Sequence, residues 1–300
     1  MIGSSGVAVV AIGFALLAAV GFAMEAILAK RGIAAGGSPI LASLIVAAVS
    51  IVVYWVVIAA IGSPIRAMLA DPFGIGVFLV SGVVGSGLGI LLHYNGVDRV
   101  GASVNTAVVN SRPLFVAVAG FAFLGELLHP TTIVGIVVLV GGLVVITLSR
   151  GGDIGGWHPI ELLFPVSAAI AFGTGNVLRR YGLTSTELTL FEGIAINAVG
   201  GFVVLGAYIL VVRGTSVLSA PRRAYLWFVA TGGLTSLALL ALFAALERER
   251  VAIVDSIAAA TPLFAVLFTV LFLRELEIVN LRVVVGATLV VSGGIMIVGL

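Results

Sequence analysis

Arg112 is the residue of this sequence whose position most strongly predicts chemistry. It lies about halfway along an apolar run, Ala102–Leu124, one residue before Pro113. A guanidinium in the middle of a bilayer costs roughly 2.5–3.5 kcal/mol on insertion scales, so it must face water or an acid. We expect Arg112 either to hold a carboxylate or phosphate through its parallel N–H donors or to form a buried structural ion pair.

Three acids within other apolar runs are candidate partners of this cation. Glu25 lies four residues before the end of the first run, on the same side of the membrane as Arg112, whereas Glu192 and Asp255 lie near the starts of their runs, toward the opposite side. We predict that Arg112 holds the anionic group of a substrate, and that these acids gate the path or carry a coupling proton. For Glu25 an ion pair with Lys30 near the end of the same helix stays open as an alternative.

Side-chain amides mark further polar positions inside the apolar runs. The seven-residue spacing of Asn105 and Arg112 puts both on one helical face, and Asn110 lies between them. Asn176 and Asn197 form a comparable polar stretch in the second half of the chain. We predict that all four amides line a cavity, with interhelical hydrogen bonds as the alternative for Asn176 and Asn197.

The composition predicts that the chain is surrounded by lipid rather than water. Only 9% of its 300 residues are charged, 61% are hydrophobic and the mean hydropathy is +1.30, whereas soluble proteins carry about 25% charged residues. A net charge of +2 argues against a nucleic-acid partner, and the absence of cysteine removes disulfides and thiolate sites. The sequence contains no Walker loop, His-Glu-x-x-His or Gly-x-Ser-x-Gly pattern, so we predict no enzyme, no metal and no cofactor.

The apolar residues form ten runs, each close to the roughly 20 residues that a helix needs to cross a bilayer. The N-terminus has no basic residue before the first run, so we expect that run to be a retained helix. Because the runs are continuous rather than alternating, they predict an all-α integral membrane protein. The predicted spans are Val7–Ala29, Pro39–Ile61, Phe73–His93, Ala102–Leu124, Thr132–Leu148, Ile160–Leu178, Leu188–Val212, Ala224–Leu246, Val251–Leu273 and Leu281–Val298.

The two halves of the sequence resemble each other. Pro113-Leu114-Phe115 recurs as Pro262-Leu263-Phe264, and Gly125-Glu126-Leu127 recurs as Arg274-Glu275-Leu276, in both cases 149 residues later. A repeat in sequence predicts a repeat in structure.

This repeat predicts two five-helix domains, residues 1–150 and 151–300. Because five is odd, the second copy must cross the membrane in the opposite sense, which is the inverted-repeat arrangement of secondary transporters. Pro113 and Pro262 would break two equivalent helices and free a carbonyl in each. Thr261 stands at the place of Arg112, so the symmetry itself does not require the charge.

Each half opens with an Ala-rich helix, carries a Pro followed 13 residues later by the Glu of Gly/Arg-Glu-Leu, and closes with a Gly-Gly helix. In these features the chain resembles EamA-type members of the drug/metabolite transporter superfamily over nearly its whole length. The resemblance implies ten transmembrane helices, a central cavity and export of small metabolites, commonly amino acids or related compounds.

We therefore predict a secondary active transporter, an exporter of amino acids or related anionic or zwitterionic compounds, that works by alternating access in the cell membrane. Protons are the candidate coupling ion, and we expect a monomer or a weak homodimer. A channel, a lipid-linked flippase-type carrier and an intramembrane enzyme stay open as alternatives.

The orientation of the chain is predicted differently by two lines of argument. With the termini inside, the inner loops hold five basic residues and the outer loops nine, so the positive-inside rule places both termini outside. The family resemblance implies cytoplasmic termini, and we retain that orientation.

Overall fold

The computed structural model of the chain describes residues 4–62, 69–115, 130–149, 151–153, 156–249, 254, 257–258 and 260–298. Asp255, one of the predicted acids, lies outside these residues. The described α-helices are α1 (Ser4–Ala34), α2 (Pro39–Ile61), α3 (Pro72–Ser81), α4 (Ile90–Val100), α5 (Ala102–Val109), α6 (Pro130–Thr147), α7 (Leu163–Ser185), α8 (Leu190–Tyr208), α9 (Arg222–Arg248), α10 (Thr261–Phe272) and α11 (Leu281–Val298).

Shorter elements connect or extend these helices. A π-helical stretch, Gly82–Gly89, joins α3 to α4 in one continuous rod, which we call the third span, and a second π-helical stretch, Ile209–Arg213, follows α8. A 3₁₀ turn, Pro159–Leu162, precedes α7. Two short strands, β1 (Gly152–Asp153) and β2 (Glu277–Ile278), form an antiparallel ribbon.

The helices confirm a membrane protein. Six of those described, taken with their π-helical and 3₁₀ extensions, are long and apolar enough to cross a bilayer, and α6, α10 and α11 are shorter apolar helices. The predicted fourth and ninth runs lie partly outside the described residues. Ten crossings therefore stay a prediction.

In addition to α7, which ends at Ser185 rather than at the predicted Leu178, two helices run well past the predicted spans. α1 continues five residues further, to Ala34, and the third span continues seven residues further, to Val100. Hydropathy marks only the part of a helix that lies in hydrocarbon, whereas backbone hydrogen bonding continues beyond it. The chain leaves these helices at Gly36 (φ 94°) and Gly101 (φ 88°), a backbone conformation that glycine adopts without steric cost.

The outer surface of the protein is apolar. Val211 is 84% exposed, Leu281 76% and Leu210 74%. Soluble proteins rarely expose large contiguous apolar patches. These side chains therefore face lipid.

Helices from the two halves pack in an exchanged pattern. α1 lies along α9, while α7, the counterpart of α1, lies along the third span, the counterpart of α9. α2 contacts its own counterpart α8, and α6 contacts its own counterpart α11. Exchanging the halves leaves these contacts unchanged, as expected of a twofold arrangement of two repeats.

Equivalent helix ends are also capped in the same way. Lys30 Nζ, near the end of α1, donates to two carbonyl oxygens in the last turn of α4 at 3.1 and 3.2 Å. Arg180, 150 residues later in α7, donates to two carbonyl oxygens near the end of α9. In each half a cation thus neutralises the negative end of a helix dipole.

α6 and α11 run antiparallel and contact each other through glycines. A Cβ added at Gly142 would lie 2.8 Å from the carbonyl oxygen of Gly286, and a Cβ added at Gly293 would lie 2.7 Å from that of Gly135. The partner residue number falls as the chain advances along α6, which gives the antiparallel direction. Close backbone approach of this kind maximises van der Waals attraction between helices in lipid, where the hydrophobic effect does not drive association.

The ribbon of β1 and β2 fixes the start of α5. Glu277 pairs with Asp153 in the ribbon, and its carboxylate accepts hydrogen bonds from Ala102 N (2.5 Å), Ser103 N (3.1 Å) and Ser103 Oγ (2.7 Å). These groups include two of the N–H donors that have no partner within a helix at its first turn. Burial raises the pKa of the Glu277 carboxyl, against the opposing effect of these hydrogen bonds.

Gly142→Ala is expected to lower the stability of the protein by about 1–3 kcal/mol, because the new Cβ meets backbone atoms of α11 that cannot move aside. The matched control is Gly141→Ala, where the added Cβ has no neighbour within 4 Å. Thermal unfolding in detergent should show a lower Tm for the first variant only. Equal Tm values for the two variants would contradict the contact between α6 and α11.

Glu277→Gln is expected to change how stability depends on pH. With a raised folded-state pKa, the folded protein holds the Glu277 proton more tightly than the unfolded chain, whose Glu pKa is about 4.3. The associated stability is present below that value and is lost as pH rises through the folded-state pKa.

Raising the pH from about 4 to about 7 should therefore lower the Tm of the wild type relative to that of Glu277→Gln. The exposed neighbour variant Glu275→Gln is the control and should follow the wild type. A wild type that gains Tm relative to Glu277→Gln over this range would show that the carboxylate is favoured in the folded state.

Candidate functional site

A cavity lies between the two halves of the protein. It encloses about 650 Å³, including the space at its opening, and its wall is built from α1, the third span, α5 with the turn after it, α7, α9 and α10. These are three helical segments of the first half and their three counterparts in the second half. Ligand sites of membrane transporters are found in cavities between repeats of this kind.

Several wall residues occupy equivalent positions in the two halves. Phe22 in α1 and Phe172 in α7 both line the cavity and are 150 residues apart in the sequence. Ser86 in the third span and Thr235 in α9 also line it and are 149 residues apart. The framework of the cavity therefore follows the repeat.

Arg112 lines this cavity immediately after a helix break. α5 ends at Val109, Asn110 has φ −77° and ψ 8°, and helical backbone resumes at Arg112. Pro113 accounts for the break, because it has no N–H to donate to the carbonyl of Val109. The buried guanidinium lies with Nη2 3.4 Å from Asn110 Oδ1.

The second half differs chemically at the equivalent place. α10 begins at Thr261 with Pro262 in its first turn. Thr261 Oγ1 donates to the carbonyl of Ala258 at 2.6 Å, which is the carbonyl left without its helical donor by Pro262. A short hydroxyl thus satisfies the freed carbonyl in one half, while the other half places a guanidinium in the cavity.

Asn105 does not line the cavity, although Asn110 and Arg112 do. The break at Asn110 interrupts the helical periodicity, so a spacing of seven no longer places Asn105 and Arg112 on one face. Asn105 is fully buried, and its Nδ2 lies 2.9 Å from Nδ1 of His93, which does line the cavity. Its amide contacts the site through that imidazole.

Arg179 is a second cavity guanidinium, and sequence analysis missed it by assigning it to a loop. The predicted span ended at Leu178, but α7 continues to Ser185 and Arg179 is 2% exposed. Its Nη1 donates to Asn176 Oδ1 at 2.8 Å and its Nη2 donates to Ser86 Oγ at 3.0 Å. The three-residue spacing of Asn176 and Arg179, one helical face, was the available signal.

Glu25 lies on another part of the cavity wall with a complete set of partners. Its Oε2 accepts from Tyr94 Oη at 2.6 Å and from Thr235 Oγ1 at 3.0 Å, and its Oε1 lies 3.1 Å from Nε2 of His93. Sequence analysis named neither Tyr94 nor His93 as a candidate site residue. Their roles depend on contacts between α1, α4 and α9 that no local pattern encodes.

The alternative of an ion pair between Glu25 and Lys30 is wrong. Lys30 Nζ lies 2.5 Å from Asp153 Oδ2 in the ribbon. The two side chains leave α1 in different directions, because a spacing of five residues turns them about 140° apart on a helix with 3.6 residues per turn.

Asn197 forms interhelical hydrogen bonds behind the cavity wall. Its Oδ1 accepts from Ser86 Oγ at 2.7 Å, and its Nδ2 donates to Ser81 Oγ at 2.7 Å. Ser86 in turn accepts from Arg179, so Asn197 on α8 holds the hydroxyl that orients this guanidinium. Asn176, by contrast, lines the cavity directly.

Glu192 lies in the first turn of α8 and is not among the residues that line the cavity. Its Oε2 accepts from Thr189 N and from Thr189 Oγ1, both at 2.8 Å, while Thr189 Oγ1 accepts from Glu192 N at 3.4 Å. This reciprocal arrangement is a capping box, which satisfies free donors at a helix N-terminus.

The described cavity wall carries charged groups of both signs. Among the described residues no three His, Cys, Asp or Glu side chains come together as a metal site would require. The described wall carries two guanidiniums, Arg112 and Arg179, and one carboxyl, Glu25. Such a wall offers donors to an anionic group and an acceptor to a cationic one.

Comparisons with known proteins agree with this architecture. The profile of the EamA-like transporter family matches residues 9–148 and again residues 159–299. One crystal structure of another protein is similar over 95% of this chain and 97% of that chain, with a TM-score of 0.66 and 17% sequence identity. At that identity the similarity shows the fold alone. Eighteen chains of solved structures match, whereas no curated protein does.

The two family matches correspond to the two halves whose helices pack in the exchanged pattern, and together they cover almost the whole chain. The protein is accordingly a multi-pass membrane protein that belongs to the EamA-like transporter family, within the drug/metabolite transporter superfamily.

Proposed function

We propose that this protein is a secondary active transporter that exports small anionic or zwitterionic metabolites, such as amino acids or related compounds, across the cell membrane. The single observation that carries the proposal is the pair of buried guanidiniums, Arg112 and Arg179, in one cavity between the two halves. With Glu25 ionised and imidazole neutral, the described wall has a net charge of +1, which favours a solute with a carboxylate or phosphate.

The mechanism that we propose is alternating access between two inverted five-helix repeats, residues 1–150 and 151–300, with ten membrane crossings. The antiparallel contact of α6 with its counterpart α11 supports the inversion, because equivalent helices of inverted repeats run in opposite directions. Rocking of one repeat against the other would expose the cavity to each side in turn. The helix breaks at Pro113 and Pro262 lie at the cavity, where helices must bend in this motion.

Each predicted site residue has a place in this scheme. Arg112 and Arg179 hold the anionic group, and Asn110 and Asn176 orient these two guanidiniums by accepting from them. Glu25 gates the path or carries the coupling proton.

The remaining predicted residues act outside the cavity wall or on the opposite side. Asn105 and Asn197 act from behind the wall. Glu192 and Asp255 stay candidates for the gate on the opposite side.

The proposed orientation keeps both termini in the cytoplasm. Arg179 and Lys30 are buried, so removing them from the loop count leaves four basic residues on the proposed inner side and eight on the outer side. The positive-inside rule still disagrees, and a single terminal reporter fusion decides between the two orientations. We further propose a monomer or weak homodimer as the working unit.

Arg112→Gln and Arg179→Gln are each expected to lower transport roughly thirtyfold or more, because each removes a buried charge that pairs with the solute. The assay is counterflow of a radiolabelled amino-acid panel in proteoliposomes that contain equal amounts of folded protein. Arg223→Gln, at an exposed position, is the matched control and should transport like the wild type.

Wild-type rates in both cavity variants would overturn the assignment of the anion site. Saturable counterflow supports a carrier, whereas flux that rises without saturation would support a channel. Absence of flux for every panel member, together with transport of a lipid-linked substrate, would support the flippase alternative.

A further inference from the structure

We propose that the coupling proton is carried by His93, and that the amide of Asn105 positions its imidazole for two charge states. The inference rests on the proposed function, because it specifies which group couples transport to a proton gradient. Of the two roles proposed for Glu25, the gate and the carrier of the coupling proton, the second then belongs to His93.

The imidazole of His93 lies between the cavity and the protein interior. It is 6% exposed, and its Nε2 lies 3.1 Å from Oε1 of Glu25. This is an ion-pair distance, and Nε2 has no hydrogen-bond partner among the described residues. The tautomer follows from the other ring nitrogen: an amide N–H₂ only donates, so Nδ1 facing Asn105 Nδ2 accepts, and the neutral ring carries its proton on Nε2.

Asn105 supplies the matching donor. Its Nδ2 lies 2.9 Å from Nδ1 of His93, and it is fully buried. Its Oδ1 has no hydrogen-bond partner among the described residues and points at Gly96, where an added Cβ would collide with it. An amide held so asymmetrically can turn over and present Oδ1 to the ring.

The two ends of the amide correspond to the two charge states of the imidazole. With Nδ2 toward the ring, Asn105 donates to a neutral His93. With Oδ1 toward the ring, it accepts from the Nδ1–H of an imidazolium, whose Nε2–H then donates to Glu25 in a charge-assisted hydrogen bond. Proton uptake from cavity water forms one N–H bond, and release to water on the other side breaks it, so no further reactant is needed.

The charged and titratable groups around His93 come from several elements. Glu25 faces it from α1, and Tyr94 follows it on α4 with the ring centroids 5.4 Å apart. Arg112, after α5, and Arg179, on α7, line the same cavity. The described residues that α9 and α10 contribute to the cavity wall are uncharged.

Protonation changes what the cavity holds and which helices it ties together. An imidazolium adds one positive charge to the wall, which favours binding of the anionic group, and tightens the contact of α4 with Glu25 on α1. Protonation of His93 would therefore raise the affinity of the carrier for a solute anion. As thermodynamic linkage requires, binding of the anion would raise its affinity for the proton by the same factor. This reciprocity couples the two fluxes in the same direction: efflux of the solute down its own concentration gradient carries a proton outward, and a pH gradient imposed on proteoliposomes drives accumulation of the solute.

The test is nitrogen-15 NMR of histidine-labelled protein in nanodiscs, with His129→Gln and His158→Gln making His93 the single imidazole. The nitrogen shifts distinguish the two neutral tautomers from the imidazolium. Spectra are recorded from about pH 5 to about 8, and we expect the neutral ring to be the Nε2–H tautomer and proton uptake to give the imidazolium. Asn105→Asp should raise the proton affinity of the ring about tenfold or more, because a carboxylate now accepts from Nδ1–H.

Asn110→Asp is the matched control, since Asn110 lies on the same segment and lines the same cavity without contacting His93. It should change the proton affinity less than about threefold. Should Asn105→Asp not fold, Asn105→Leu replaces it and is expected to abolish the preference for the Nε2–H tautomer. A ring that stays neutral across this range, or equal shifts in both Asp variants, would overturn the proposal.

The second measurement uses proteoliposomes and the panel member that the wild type transports. In Asn105→Asp, solute exchange at equal pH should continue, while accumulation driven by a pH gradient should be lost. Loss of exchange as well would contradict a role confined to coupling. If no panel member is transported, the proposed function fails while the NMR titration still decides the behaviour of His93.

Discussion

The cost of placing a guanidinium in hydrocarbon is the constraint on which the rest of this structure depends. Arg112 and Arg179 are nearly inaccessible, and both line a cavity enclosed by apolar helices. Such groups persist only where polar partners and a hydrated space replace the water they lose. The amides of Asn110 and Asn176, the hydroxyl of Ser86 and the cavity itself provide that replacement.

The outer and inner parts of the bundle are held together by different interactions. At the outside, α6 and α11 contact each other through backbone at glycines, which gives tight packing without any polar group. Around the cavity, helices are interrupted by proline and joined by hydrogen bonds such as that of Asn197 with Ser86. A rigid apolar contact and a hydrated, adjustable centre are both needed by a carrier that changes shape around its solute.

The two halves share a framework but not a charge distribution. Phe22 and Phe172 are equivalent in position and in type, whereas the position of Arg112 in the first half is occupied by Thr261 in the second. Symmetry in backbone allows two alternative arrangements of similar energy. Under the proposed function, asymmetry in side chains would let the same cavity bind a solute that has an anionic end and a cationic end.

The sequence was sufficient for the membrane class, the repeat and the position of Arg112 at a cavity, because each depends on local composition, periodicity or the cost of a single charge. It was insufficient where long-range contacts decide. Arg179 was missed because a hydropathy boundary at Leu178 ended the helix too early. Asn105 was assigned to the wall because helical spacing was extended through a break.

The partners of Glu25 come from α4 and α9, which lie 69 and 210 residues further along the chain, and no spacing rule reaches that far. The sequence therefore identified the polar residues that are costly to place in a membrane. It did not show which of them contact each other.

The most direct measurement of the central claim uses the absence of native cysteine. A single Thr261→Cys, in the cavity wall at the position equivalent to Arg112, is labelled in proteoliposomes by a membrane-impermeant thiol reagent applied from one side or the other, with lipid-facing Val137→Cys as the control. Alternating access predicts labelling from both sides, with solute or pH shifting reactivity from one side to the other, and an unlabelled control. Labelling from one side only under every condition would contradict it, as would simultaneous full access from both.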